Sequence, residues 1–185
     1  LTSVYISDIA AWCDIFFSDG ASDLYNNSNP LTTANHLFLN GEEIKEIDIP
    51  NSVSSISNYA FYGFNNLKKI TIPNSVTSIG GHAFEGCSSI TNISLHPNIE
   101  SIGSHAFADC SNLSSVTLLC SPSTVDSDIF SGCSKLTDVT LDCEKVSPLF
   151  SDMASIERIT FGKAVNTIEK NAFQNCSGLS SIIDD

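Results

Sequence analysis

IPNSVTSIGGHAFEGCSSITNI, residues 72–93, decides the fold because the chain repeats it. Phe61, Phe84, Phe107 and Phe130 follow one another at a step of 23, and Cys87, Cys110 and Cys133 keep that step. Ile70, Ile93, Val116 and Val139 keep it too. A fixed period in the twenties is the signature of stacked solenoid turns, each too small to bury its own apolar face. Stacking supplies the core that a single turn lacks.

Reading outward, each unit has a strand of the form Ile-x-Ile, a bend with proline or its equivalent, and a second extended piece, Val-x-x-Ile. A tight helical turn carrying Ala-Phe and Cys then leads back through Leu or Ile. The first unit places Phe64 after Gly63 where the others have cysteine. The unit from Thr117 has Cys120–Ser121–Pro122 at its bend and Ile129 in place of alanine. The next, Thr140 to Ile159, is three residues short and offers Phe150 and Met153 at the Phe and Cys positions. Phe173, Cys176 and Ile182 restore the pattern.

Residues 1–43 read as a leading cap, and residues 44–185 as the repeats, in one solenoid domain. The segment from Leu1 to Ile6 has the apolar/polar alternation of a half-buried strand. Asp8 is placed to cap a short helix, because Ile9, Trp12, Cys13 and Phe16 fall at i, i+3, i+4 and i+7. That helix is expected to lay Trp12 and Phe16 on the end of the stack and cover its core. From Ser18 to Asn35 the composition is that of a loop. Asn40-Gly41 between Leu37–Phe38–Leu39 and Ile44 predicts a hairpin entering the first turn.

Composition bounds the function. With 21 acidic against eight basic residues and a net charge of -13, the chain lacks the basic footprint that nucleic acid or an anionic membrane requires. No apolar run approaches the ~18 residues of a membrane span. Leu1 opens the chain in mid-unit, which reads as the start of an excised segment or mature fragment.

Cys87, Cys110, Cys133 and Cys176 share one repeat position and read as reduced, buried thiols filling the core. Cys120 and Cys143 share another column one turn apart. Stacked turns lie about 5 Å apart, within the Cα range of a disulfide, so a Cys120–Cys143 staple is a possible alternative to two thiols.

Apolar residues of each Ile-x-Ile strand point inward, so those between them face out onto the concave sheet. They are Glu46 and Asp48, Lys69 and Thr71, Asn92 and Ser94, Ser115 and Thr117, Asp138 and Thr140, and Arg158 and Thr160. This rigid, largely hydroxyl-lined face suits hydrogen bonding to a protein or glycan, and it equally suits a merely solvated sheet. It carries no aromatic cluster of the hot-spot type.

His82 and His105 share a column with Tyr59 before them and Asp128 after. Two imidazoles and a carboxylate are metal-ligand types, but a variable surface column explains them as simply, and neither a metal site nor a cofactor is expected. No Gly-x-Ser-x-Gly elbow, phosphate loop, HExxH or dinucleotide fingerprint occurs, so no enzyme is expected. Asn26–Asn27–Ser28, Asn92–Ile93–Ser94, Asn112–Leu113–Ser114 and Asn175–Cys176–Ser177 are glycosylation sequons, which matter only on a eukaryotic secretory route.

Ile72–Pro73, Val76, Ile79–Gly80, Ala83–Phe84, Cys87, Ile90 and Ile93 resemble, position by position, the repeat of the BspA-like class of leucine-rich repeats. Ile99, Ile102–Gly103, Ala106–Phe107, Cys110, Leu113 and Val116 match it again. The resemblance implies a right-handed leucine-rich-repeat β-solenoid of about six turns, with short parallel strands, 3-10 or short helical turns and an α/β N-terminal cap. It also implies a surface or secreted protein that adheres to host, matrix or other cells, its partner a protein or glycan such as a component of the host extracellular matrix. The alternative is a structural spacer of a larger surface protein, without a ligand of its own.

Overall fold

The computed structural model describes residues 2–17, 29–126 and 128–185. Its N-terminal cap is built from β1 (Ser3–Ile6), α1 (Ile9–Cys13), β2 (His36–Leu39) and β3 (Glu42–Ile44). Strand β1 pairs parallel with β2, and β2 pairs antiparallel with β3. The hairpin between β2 and β3 turns at Asn40 and Gly41, both at positive φ (52° and 90°), which is the chemistry Asn-Gly supplies. Asp8 caps α1: its Oδ1 accepts from the Ala10 and Ala11 amides at 2.7 and 3.3 Å.

The helix is shorter than the apolar spacing suggested. It ends at Cys13, so Phe16 falls beyond it and is 77% exposed, while Phe17 is buried against Trp12 with ring centroids 5.2 Å apart. Trp12 does close the stack, and its Nε1 donates to the Ala60 carbonyl at 2.7 Å. Most of the loop expected between Ser18 and Asn35, including the Asn26–Asn27–Ser28 sequon, lies outside the described residues. Within its last part Pro30–Thr32 forms a 3-10 turn instead of loop. Buried Asn29 caps that turn and donates through Nδ2 to the Tyr59 and Ala60 carbonyls, tying it to the first repeat.

Two kinds of strand then alternate. The principal strands are β4 (Glu46–Asp48), β6 (Lys69–Thr71), β8 (Asn92–Leu95), β10 (Ser115–Leu118), β12 (Asp138–Leu141), β14 (Arg158–Phe161) and β16 (Ser181–Asp184). Between them lie two-residue strands β5 (Ser55–Ile56), β7 (Ser78–Ile79), β9 (Ser101–Ile102), β11 (Thr124–Val125), β13 (Lys145–Val146) and β15 (Thr167–Ile168). Every pairing among them is parallel and joins successive turns, but the principal strands form two sheets, β4-β6 and β8-β10-β12-β14-β16, and the short strands two more, β5-β7-β9-β11 and β13-β15.

The core is a ladder. Phe61, Phe84, Phe107, Phe130 and Phe150 are fully buried, and neighbouring rings stack from Phe61 through to Phe173 with centroids 5.2–6.2 Å apart. A thiol ladder runs beside it. Cys87, Cys110, Cys133 and Cys176 donate to the carbonyls of Phe61, Phe84, Phe107 and Phe150 at 3.2, 3.3, 3.2 and 3.0 Å. A small apolar filler with one weak donor meets both demands of the site.

The phenylalanine turn is not a continuous helix. Its hydrogen bonds join residues three apart, as in Ala60 to Ser57 and Phe64 to Phe61. Residues two before and two after the phenylalanine often sit in the left-handed region. Tyr59, His82, His105 and Asn171 occupy the first place, and Gly63, Gly86, Asp109, Gly132, Asp152 and Asn175 the second. Left-handed residues at both ends cannot propagate a right-handed helix, so each unit keeps a tight turn only.

Candidate functional site

The principal sheet presents its polar residues in two ranks. Parallel register sets Glu46 opposite Lys69 and Asp48 opposite Thr71. Ser115 lies between Asn92 and Asp138, and Thr117 between Ser94 and Thr140. Arg158 and Thr160 then face Asp138 and Thr140. Side chains in both ranks are exposed or half-buried, while Ile47, Ile93, Val116, Val139 and Ile159 between the ranks are buried. Alternation alone therefore places all twelve candidates on one face.

The face is preorganised by the pairing beneath it. Arg158 Nη1 bonds Asp138 Oδ1, and the Thr137 hydroxyl donates to Asp138 Oδ2 at 2.6 Å. This ion pair is solvent-exposed and adds less than ~1 kcal/mol to the fold, so both charges remain available to a partner. The hydroxyls of Thr71, Ser94, Thr117, Thr140 and Thr160 form the other rank, short and stiff donors and acceptors with little entropy to lose.

The cap adds what the repeats lack. Tyr5, outward from buried Val4, is 69% exposed and stacks on Phe38 at 4.8 Å. Lys45 alone separates the cap strand β3 from β4. The same alternation that picks Glu46 and Asp48 also marks Tyr5 and Phe38 as outward residues. Beside them Glu43 accepts from His36 Nδ1 at 2.7 Å and meets Lys45 at 3.7 Å; the histidine bond, chiefly, holds its carboxyl below the usual range.

The histidine column is assembled as a stack. Tyr59 and His82 have centroids 4.7 Å apart, and His82 and His105 5.1 Å apart, with interplanar angles of 1° and 8°. His82 Nδ1 contacts Glu85 Oε2, and His105 Nδ1 contacts Asp128 Oδ2 at 3.0 Å. Face-to-face rings send their in-plane lone pairs side by side instead of converging on one ion. Ser104, His105 and Asp128 do come together, but the Ser104 hydroxyl (2.7 Å) and the carboxylate both approach Nδ1. A relay needs the nucleophile on one ring nitrogen and the carboxylate on the other.

Cys120 and Cys143 are buried free thiols, so the staple weighed between them is not formed. The Cys143 thiol is turned toward the Lys145 carbonyl, 3.6 Å away. Burial pushes the Cys120 thiol up to about 12, with the neighbouring Cys143 adding to the shift. Among the described residues no group of three or more His, Cys, Asp or Glu is placed to hold a metal ion, and no helix is long and apolar enough to cross a membrane.

One principal strand per turn, a phenylalanine–thiol core and tight turns in place of long helices define a leucine-rich repeat solenoid. The BspA type leucine rich repeat region matches residues 32–148 and 125–183, in six copies, and the chain belongs to that family. A leucine-rich repeat protein from Bacteroides ovatus has a similar solved structure, with a TM-score of 0.62 and 25% identity over 74% of this chain and 36% of that one. A T. pallidum leucine rich repeat protein shares the fold at a TM-score of 0.57 and 22% identity, over 77% of this chain and 74% of that one. The chain thus spans 36% of the length of the Bacteroides ovatus protein. No curated protein matches the sequence. Repeats of this family are protein-interaction or surface-protein modules and are generally not catalytic.

Proposed function

We propose that the chain is a non-catalytic recognition module of a cell-surface or secreted protein, binding a protein or glycan partner on its principal sheet. Adhesion to host or extracellular-matrix components is the role it fits best. The observation that carries this reading is the pair of outward polar ranks, held in register from β4 to β6 and again from β8 to β14, with the exposed Tyr5–Phe38 stack on the cap as a separate aromatic feature. A rigid face loses little entropy on binding, and aromatic anchors beside a polar field are the usual makeup of an energetic hot spot.

The test is a binding screen of the purified chain against matrix proteins and glycans. Lys69→Glu and Tyr5→Ala are run beside the charge swap Asp138→Arg/Arg158→Asp, which keeps the ion pair but reverses its direction. A saturable partner weakened tenfold or more by these variants, with unchanged melting temperatures, is expected. The absence of any saturable partner for a folded chain would instead support a spacer role.

A further inference from the structure

The unit that is three residues short loosens one seam. The step from Val116 to Val125 is nine residues, but from the equivalent Val139 to Val146 it is seven. Val125 to Phe130 is a step of five, against four from Val146 to Phe150. The principal sheet and the core absorb the difference, since β10 and β12 stay in register and Phe130 stacks on Phe150 at 5.6 Å. The outer sides do not. Among the described residues the secondary sheet runs β5-β7-β9-β11, stops, and resumes as β13-β15. The amide ladder from Phe61 to Ala83, Phe84 to Ala106 and Phe107 to Ile129 has no counterpart from Phe130 to Leu149. Met153 stands where Cys87, Cys110, Cys133 and Cys176 bond the preceding turn. On the outer side the Ser121 hydroxyl accepts instead from the Lys145 amide at 3.0 Å.

Cys120 and Cys143 lie beside that contact. Parallel register sets Leu118 opposite Leu141, and the Asp142 amide still bonds the Leu118 carbonyl at 2.9 Å. Two residues beyond that pair, the cysteines are neighbours one turn apart, at the ~5 Å step of stacked strands. That step lies within the ~4.4–6.8 Å that a disulfide spans between Cα atoms. Both cysteines line one water-sized cavity of about 10 Å³, with Leu118, Leu141, Leu149 and Phe150 around them. The cavity gives the two side chains room to turn toward each other.

The other cysteines are placed differently. Cys87, Cys110 and Cys133 are buried in the phenylalanine ladder, and each donates to a phenylalanine carbonyl at 3.2–3.3 Å. Cys176 has Met153 as its column neighbour, and Cys13 belongs to the cap. Cys143 makes only a 3.6 Å contact with the Lys145 carbonyl.

We propose that Cys120 and Cys143 are an oxidation site: a small disulfide oxidant of the glutathione disulfide class joins them, and the bond clamps the seam that the short unit loosens. The thiolate of one cysteine attacks the oxidant and releases one glutathione, leaving a mixed disulfide. The other cysteine gives up its proton, displaces the second glutathione and closes the Cys120–Cys143 bond. Two thiols are oxidised, and the oxidant is reduced to two thiols. Burial keeps both cysteines protonated, pushing Cys120 up to about 12 and raising Cys143 as well. The exchange therefore proceeds when the seam opens locally. With the surface or secreted placement proposed above, the surroundings are oxidising enough for the bond to persist.

The test incubates the native full chain with glutathione disulfide, then alkylates it and maps its cysteines by mass spectrometry. A loss of about 2 Da is expected, with one linked pair, Cys120 to Cys143, and with Cys87, Cys110 and Cys133 still free to alkylate after unfolding. Urea titration reads the clamp. In dithiothreitol the dichroism transition is expected to precede the Trp12 fluorescence transition, and after oxidation the two are expected to coincide. Cys120→Ala is expected to lose both the mass change and the shift. Inserting three residues after Ser147, which restores the 23-residue step, is expected to make the transitions coincide without oxidant. No loss of mass, a stable glutathione adduct, a link between any other cysteines, or a dichroism transition that oxidation leaves in place would each overturn the proposal.

Discussion

At the scale of single residues, the repeat is a solution to burying each phenylalanine twice over, once by its own turn and once by its neighbours. Phe107 is fully buried between the rings of Phe84 and Phe130. Phe107→Ala opens a cavity that the paired strands on either side prevent from collapsing, and is expected to cost about 3–5 kcal/mol in urea titration. An unchanged midpoint would contradict the ladder. His96 makes the opposite demand. It is buried, its Nδ1 accepts from the Asn98 amide at 3.2 Å, and no polar atom reaches hydrogen-bond geometry at Nε2. The nearby Pro73 carbonyl favours the charged ring slightly, but burial outweighs it and pushes the pKa below its ordinary 6.5. A base whose folded pKa is lowered binds protons more readily when unfolded, so the fold loses stability as pH falls through 6.5 toward the folded value and is unaffected above it. Melting temperatures from pH 8 to 5 are expected to fall more steeply for the native chain than for His96→Gln. Parallel curves would refute this.

At the scale of elements, the cap and the turns differ in how far sequence revealed them. The phenylalanine and cysteine steps were plain because a repeat states each position several times. The cap states each position once. There Ile9, Trp12, Cys13 and Phe16 gave a helical period, but Asp14 already closes the helix and Phe17, not Phe16, packs on Trp12. Likewise the outward face could be read from alternation in the Ile-x-Ile strands, whereas the meeting of Ser104, His105 and Asp128 depends on the stacking of turns. The geometry of the cap also makes a prediction. Asp8→Ala removes one capping side chain from a five-residue helix and is expected to cost about 1 kcal/mol. Trp12→Ala removes the plate that covers the first phenylalanine turn, costing about 3–5 kcal/mol. Hydrogen exchange of Trp12→Ala is expected to speed up first at Ser57, whose amide bonds the Cys13 carbonyl, and last in β10 and β12. Uniform acceleration through the stack would mean that the cap does not act locally.

At the scale of the whole molecule, stability in a solenoid is a chain of nearest-neighbour interfaces, so the weakest seam sets where cooperativity fails. The three-residue shortfall in Thr140–Ile159 was visible in the sequence. Which face would open was not, because that depends on how sheet and core share the missing length. The seam keeps its principal-strand pairing and its ring stack but loses the secondary strand, the amide ladder and the thiol bond; on its outer side the Ser121 hydroxyl accepts from the Lys145 amide at 3.0 Å in place of the missing strand. Beyond it the packing also thins, with Ile168 and Ile182 51% and 64% exposed. Urea is therefore expected to melt residues 138–185 before residues 47–126. The single tryptophan, Trp12, reports only the capped end, whereas far-ultraviolet circular dichroism reports strands on both sides of the seam. The dichroism transition is expected to begin at lower urea than the fluorescence transition, and the three-residue insertion after Ser147 is expected to bring the two together. Coincident transitions in the native chain would mean that strand pairing, phenylalanine stacking and the Ser121–Lys145 hydrogen bonds carry full coupling across a seam that lacks its secondary strand and amide ladder.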